Sequence, residues 1–376
     1  MILSTHASRL DRWLGADHTE RISSAMRDWY GPPIAVAGLD GAPVFAHKGG
    51  DFRGVFGGGH FGNQVDYWTD RLNAYTKRVA RRQRAVAGAG FTSISDMVAE
   101  ATTGKRRDYH WQKAGSAGVV SGTNSLWGLG AQPVGGANAA AAPGGEAPTQ
   151  ATTGAMLLDA VSADTRHVVA GYVVCDRINT LLLYDRIFQV NKTMNSAANE
   201  SVTGVPTRYQ SSTPTAADYA GGNFLFVEVG GTALAATAHN WGVAGGSNEC
   251  LYRNQAGTDN SIMPVLTGNS AAIVRRLDHP LNQWFAPLAT GDTGVMDLAQ
   301  MRCSATVATG VINFVIGHPL VWMPVPVINL TILHDFVRGA FSLVRVFDDA
   351  ALAWLEVNKP ATNASNYNMG ITAIHG

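Results

Sequence analysis

The sequence predicts a mainly β protein with a helical N-terminal part, its C-terminal domain an antiparallel β-sandwich of jelly-roll type. Three observations lead there. From residue 155 onward apolar and polar residues alternate with a period of two, and β-branched and aromatic residues are enriched. Residues 64–87 carry instead an apolar seam at spacings of three and four. Between the two runs an almost charge-free stretch rich in Gly and Ala. The expected organisation is a helical, basic N-terminal region over 1–113, a connector or arm over 114–153, and a β-sandwich domain over 154–376.

The front part opens with a helix near 19–30, where Ile22, Met26 and Trp29 fall at helical spacing, Thr19 can cap the start and Gly31 ends it before Pro32 and Pro33. Residues 34–62 are Gly-rich and loop-like, with room for a short hairpin at 39–43. In the main helix, 64–87, the seam is Val65, Trp68, Leu72, Tyr75, Val79 and Val86. Asn63 caps it, Asp66 and Asp70 suit the positive end of its dipole, and KRVARRQR at 77–84 suits the negative end before Gly88. Such a seam either packs on the chain's own core or pairs with another copy as a short coiled coil. As candidate assembly contacts it contributes Val65, Trp68, Leu72, Tyr75 and Val79, with the basic side chains Lys77, Arg78, Arg81, Arg82 and Arg84 beside them.

The connector has one charge, Glu146, and nine glycines in 114–153, with no periodic apolar face. A solvated tether has no use for Leu126, Trp127 and Leu129, because a Trp in such a stretch docks somewhere. These three residues complete the candidate contacts, and the segment reads as an arm lying along another surface. After it come candidate strands at 167–175, 180–190, 223–229, 232–240, 271–275, 295–303, 310–317, 326–333 and 350–357, divided by turn clusters. Many short strands without alternating helices imply antiparallel sheets packed face to face.

Composition narrows the function classes. Of 376 residues 46% are hydrophobic and 15% charged, with 42 glycines, so the chain has ample material for a core and a surface built of Thr, Ser, Asn and Gly. The net charge is zero, but residues 1–113 hold 16 Lys+Arg against 11 Asp+Glu, leaving 12 against 17 for the remainder. That split of +5 and −5 allows head-to-tail attraction between copies. Cys175, Cys250 and Cys303 form no CxxC pair and read as small buried residues. The N-terminus lacks a signal-peptide core, so synthesis and use in a cytosol are expected. The apolar run 310–333 is broken by Pro319, Pro324 and Pro326 and reads as buried strands with proline corners, not as a membrane span.

Searches for chemistry return little. GGGHFG at 57–62 fits GxGxxG, but no buried strand precedes it and no acid stands about twenty residues on. TTGKRR at 102–107 lacks the first Gly and the final Ser or Thr of a Walker A loop. Neither GxSxG nor HExxH occurs. His239 and His318 lie in apolar stretches and read as satisfied core histidines. Asp176, Asp185, Glu228 and Glu356 lie in or beside strands and leave a glycosidase-type pair open, with Trp241, Trp284, Trp322 and Trp354 as possible sugar platforms. No catalytic, cofactor-binding or metal-binding residue is assigned. The basic run 77–84 reads either as a solvated helix face or as a contact for phosphate or acidic protein, and nucleic acid is not the expected partner.

Four segments carry a resemblance: 166–193 (RHVVAGYVVCDRINTLLLYDRIFQVNKT), 204–214 (GVPTRYQSSTP), 222–235 (GNFLFVEVGGTALA) and above all 288–304 (LATGDTGVMDLAQMRCS). In these, residues 114–376 resemble a family of β-rich tailed-bacteriophage virion structural proteins. The resemblance implies a minor capsid or decoration protein of the head surface or vertices, with a neck, tail or baseplate location as the alternative. It implies other virion subunits and further copies of the chain as partners, no membrane, no cofactor and no active site. A major capsid protein fits less well, because its long spine helix has no counterpart after residue 155. The rival outside this class is a carbohydrate-binding or depolymerising β protein.

Overall fold

The computed structural model describes Phe91 and residues 94–113, 122–125, 139–159, 161, 166–210, 222–245, 247–269, 274, 276–281, 283–339, 344–359 and 365–376. All of them fall in the unit Val79–Gly376. In chain order, helix α1 (Ile94–Glu100) leads through a wide turn to β1 (Arg106–Lys113), then β2 (Gly122–Ser125), β3 (Arg166–Cys175), β4 (Asn179–Thr193) and β5 (Glu200–Ser201). There follow β6 (Phe224–Val229), β7 (Asn240–Trp241), β8 (Leu251–Asn254), β9 (Ser261–Ile262), β10 (Leu266–Thr267) and β11 (Val295–Met301). The chain closes with β12 (Val311–Val325), β13 (Ile332–Asp335), the single turn α2 (Phe336–Gly339), β14 (Val344–Val346), β15 (Leu352–Lys359) and β16 (Tyr367–His375). The described fold is mostly antiparallel β, with one short helix ahead of the sheets, as expected.

A central sheet, ordered β2-β15-β4-β12-β6, is built around two strands of fifteen residues each. An outer sheet runs β1-β16-β3-β13 with β14 also on β3, and a far sheet runs β5-β11-β8-β9 beside the small β7/β10 pair. Strands covered on both faces read as continuous apolar runs instead of alternating ones. Leu181, Leu182, Leu183 and Tyr184 of β4 are such a run, and all four are fully buried.

Two bulges decide which residues face which layer. In β4, Phe188 pairs with Ile316 and Arg186 with Gly317, leaving Ile187 as an extra residue; in β12, Leu320 is extra between Pro319 and Val321. Each bulge shifts the odd–even alternation by one, so Leu181, Leu183, Phe188 and Val190 share one face. The first half of that face packs under the outer sheet, where Leu183, Val321, Met323 and Trp354 meet Trp111, Val173, Met369 and Ile371. Its second half packs under the far sheet, where Phe188, Val190, Ile312 and Phe314 meet Trp241, Tyr252, Leu298 and Met301. The opposite face carries Leu182, Tyr184, Phe224, Phe226 and Leu355 under Leu277, Trp284 and Phe285. Gly317 lies between two of these rings: a Cβ there would stand 2.7 Å from Tyr184 and 2.8 Å from Phe224.

Proline in a strand is tolerated where no neighbour needs its missing N–H. The pairing of β12 with β6 ends at Gly317, so beyond it Pro319 and Pro324 lie where β12 is paired on one side only, with β4, among the described residues.

The structure departs from the sequence reading in several places. Arg106–Lys113, expected within the helical front part, is a strand paired along its length with the C-terminal strand Tyr367–His375, which the pattern also missed. The expected strand 232–240 is an irregular connection ending in β7, and 326–331 is an exposed turn instead of a buried strand. The connector lies, wherever it is described, along this chain's own central sheet: Gly122–Ser125 pairs with β15, and Ala141 and Glu146 bridge to Asn191 and Gln189 of β4.

Candidate assembly surface

The candidate contacts Val65, Trp68, Leu72, Tyr75, Lys77, Arg78, Val79, Arg81, Arg82, Arg84, Leu126, Trp127 and Leu129 all lie outside the described residues, as do the helices of 19–30 and 64–87. What the described residues do show is where the charges went, and which apolar surface was left outside.

Every charge on β4 and β6 is buried (Asp185, Arg186, Lys192 and Glu228), while the outer sheet keeps Arg106, Asp108 and Asp335 exposed. Asp185 is fully buried and takes a two-pronged contact from Arg208, Nε to Oδ2 and Nη2 to Oδ1 at 2.8 Å each, while the Ala351 amide donates to it at 2.9 Å. Burial works against the Arg208 charge, and the Asp185 carboxylate more than offsets this, holding the guanidinium above its ordinary range. Arg186 donates to Glu228 at 2.6 Å and also to Gln189, and Asn313 donates to the same Glu228 oxygen at 3.1 Å. Gln189 in turn donates to Glu146 of the connector, and Asn313 accepts from the Ala139 amide at 3.0 Å. The connector thus lies over the polar half of the central sheet's second face and bonds there to Gln189, Asn191 and Asn313.

Glu356 accepts from Tyr367, from Ser365 at 2.9 Å and from Asn179 at 3.3 Å. Asp176 accepts from the Asn366 amide and side chain, both at 3.0 Å. Asp185 and Glu228 each sit in an ion pair of their own, Asp176 and Glu356 are joined through Cys175 and Asn179, and all four are engaged in structural hydrogen bonds. His239 and Trp241 both donate to buried Asp278, at 2.8 and 2.7 Å, and His318 stacks on Tyr209 with ring centroids 3.8 Å apart. Burial raises Cys175 to about 11, and all three cysteines are buried thiols. Among the described residues no group of three or more His, Cys, Asp or Glu is placed to hold a metal ion, and no helix is long and apolar enough to cross a membrane.

Outside, the balance is reversed. From Cys303 to His334 the chain has no Asp, Glu, Lys or Arg. This stretch forms β12, a tip at 326–331 and the start of β13, and every residue of the tip is exposed. Val327, Ile328 and Leu330 stand 48%, 47% and 52% exposed, with Leu333 at 79% beyond them and Ile178 of the neighbouring β3–β4 turn at 52%. The tip is held in shape: Asn329 takes a left-handed conformation (φ 55°) and donates its amide to Cys175 O at 2.8 Å, and Pro326 fixes its own φ. Large contiguous exposed apolar patches are where proteins meet partners, ligands or membranes.

Farther back along β12, on the second face of the central sheet, lies a groove of about 280 Å³. Phe224 and Leu225 form its floor, Phe285 and Leu288 one wall, and Pro319 and Trp322 of β12 the other. Trp322 is 43% exposed, its ring 6.2 Å from that of Trp284 and 6.4 Å from that of Phe285. Thr293 stands on the rim, placed by the GDTG turn ahead of β11. That turn is locked from within. Asp292 accepts from Tyr252 at 2.6 Å and from Asn254 at 2.8 Å, and Gln255 accepts from the Thr293 and Gly294 amides. Trp241 and Trp354, by contrast, are fully buried and offer no face to a ligand. Sequence reasoning named Trp322 and the prolines but missed the exposed tip; the signal available was the length of the charge-free run.

No family model matches the chain, and no curated protein matches it. Two solved structures of infectious bursal disease virus align at 8% identity. One, of the Gx strain, has a TM-score of 0.16 and covers 72% of this chain and 80% of that one. The other, of the VP2 subviral particle, has a TM-score of 0.15 and covers 80% of this chain and 86% of that one. Superpositions at this level carry no argument about fold or function.

Proposed function

We propose that the chain is a structural component of a tailed-bacteriophage virion, a minor capsid or decoration protein of the head surface or its vertices that acts by assembly contacts and not by catalysis. One observation carries this reading: a β unit whose central-sheet charges Asp185, Arg186 and Glu228 are buried and paired presents, on its outside, a shaped and charge-free apolar tip. Apolar surface of that kind is stable in a particle, where neighbours cover it, and is a liability on a free enzyme. Partners in this reading are major capsid subunits and further copies of the chain. A placement at the portal axis would make them neck or tail subunits. The depolymerase alternative loses support from the acids, all four of them engaged in structural hydrogen bonds, and from the burial of two of its four tryptophans. The test is quantitative protein analysis of gradient-purified particles. The chain is expected in fixed copy number relative to the major capsid protein, and its absence from particles would contradict the proposal.

A further inference from the structure

We infer that His239 is a proton-dependent clasp: with a hydrogen on each ring nitrogen it pins the connection 231–238 to the body of the fold, and losing one of them as pH rises frees that connection. The inference stands apart from the assembly reading. His239 ends the irregular stretch between β6 and β7, and its ring is enclosed. Nδ1 lies 2.8 Å from the Thr237 carbonyl oxygen and Nε2 lies 2.8 Å from Asp278 Oδ2. A carbonyl and a carboxylate only accept, so a hydrogen must stand between each nitrogen and its oxygen. Asp278 is fully buried and takes two further donors, the Trp241 indole on Oδ2 at 2.7 Å and the Asn269 amide on Oδ1 at 2.5 Å. Whether the shared proton sits nearer Nε2 or Oδ2, the pair holds one proton more than a free histidine and a free aspartate do above a pH of about 6.5. Burial opposes the ring's charge, and the bonds to Asp278 and Thr237 more than offset it, so the ring stays protonated above its ordinary range.

The neighbouring groups keep one charge state over the same range. His279, beside Asp278, is pushed down to about 4 by burial and is neutral. Burial raises Cys303, bridged to Trp241, so it stays a thiol; Lys192, whose charge reaches that thiol, is paired with Glu200. Arg276, in the field of Asp278, stays a cation. Among the described residues around the ring, the His239–Asp278 pair is what titrates between pH 6 and 8.5.

When the extra proton leaves, one nitrogen turns a lone pair toward an oxygen 2.8 Å away, and that contact becomes repulsive. The Asp278 side holds, because a charge-assisted bond is roughly twice as strong as a neutral one and Trp241 and Asn269 fix the carboxylate. Gly268 closes over the ring: its amide donates to His239 O at 3.0 Å, and a Cβ there would collide with Nε2. The Thr237 side yields. Residues 231–233, 236 and 238 are exposed and Thr237 is half-buried, so its carbonyl can turn to water. What then remains on the connection is the Ala235 amide on Thr309 O at 3.1 Å, the Val311 amide on Thr232 O at 3.3 Å, and the packing of Leu234 and Ala235 on the core beneath the far sheet. The clasp's contribution is complete below a pH of about 6.5 and is lost as pH rises through the pair's higher folded value.

The test is nitrogen-15 NMR of the full chain labelled at histidine, with the His239 ring assigned through its own backbone, joined to amide exchange between pH 6 and 8.5. At pH 7 both ring nitrogens of His239 should be protonated. As the ring titrates, protection of the Ala235 amide, corrected for the intrinsic pH dependence of exchange, should fall about tenfold or more while the amides of β4 hold. In His239→Gln that protection should be low and the same at both ends of the range. A wild-type ring carrying one proton at pH 7 overturns the inference, as does a ring that deprotonates without loosening Ala235. A loss of protection shared by β4 also overturns it, since that is general alkaline unfolding. These three outcomes are read on the wild-type chain and hold even if His239→Gln does not fold.

Discussion

Replacing Arg208 by Met removes the cation from the Asp185 carboxylate and leaves it, fully buried, with the Ala351 amide and no opposing charge. Removing one member of a buried ion pair costs about 3–5 kcal/mol, because the remaining charge keeps its desolvation penalty. For a unit spanning Val79–Gly376 that corresponds to a fall in Tm of roughly 5–8 °C. The penalty should also depend on pH. In the variant the orphaned carboxyl titrates above its unfolded value, so the variant is least penalised at low pH and loses stability as pH rises above about 4. A companion change of Asp185 to Leu in the same chain should recover most of the loss, since an apolar pair of similar volume costs little. Urea unfolding followed by near-ultraviolet circular dichroism at pH 4.5 and pH 7.5 reads all three effects. A single variant within 1 kcal/mol of wild type, or a double variant worse than the single, would refute the claim that this pair is a buried, charged element of the core.

Three further outcomes are expected. His279 is buried, accepts the Val227 amide at Nε2 (2.9 Å), and is pushed by burial down to about 4, so its neutral form is the folded one. Stability should fall as pH drops from about 6.5 to 4, by about 3 kcal/mol from this group; His279→Gln, which can still accept that bond, should flatten this part of the urea midpoint profile, and an unchanged slope would count against the assignment. Trp354→Ala, in the core between the central and outer sheets, should cost about 3–5 kcal/mol by the same assay. Deleting 114–153 should lower the melting temperature of the β unit, because it strips the β2 strand from β15, Glu146 from Gln189 and the Pro148 carbonyl from Arg208; an unchanged melt would restore the segment to the status of a free arm.

The parts of the fold legible in the sequence are those whose burial is set locally. Strands β3, β4, β6, β11 and β15 fall close to the spans read from apolar runs and alternation, because both faces of β4 and β6 are covered over nearly their whole length. What the pattern hides depends on distant partners. Arg106–Lys113 alternates outward Arg106, Asp108 and His110 with inward Tyr109 and Trp111, but its basic composition reads as a continuation of the helical front. Only the C-terminal strand, more than 250 residues on, makes it a strand. The PVPV alternation reads as a strand, but Pro326 and the left-handed Asn329 turn the chain outward there. Polar satisfaction was likewise invisible: the connector's single charge, Glu146, looks incidental until Gln189 and Arg186 are placed beneath it. Of the candidate site, the sequence offered Trp322, Trp284 and the GDTG turn as separate features. Their meeting at one groove follows from the bulge at Leu320, which spacing alone does not reveal.

The central claim is that this chain is a particle component that works through contacts, and imaging the particle it comes from, at a resolution that traces the chain and counts its copies, tests it most directly. The account predicts copies at symmetric positions on the head shell, each with residues 326–331 covered by a neighbour. Particles that lack the chain, or copies whose tip stands open to solvent, would contradict it.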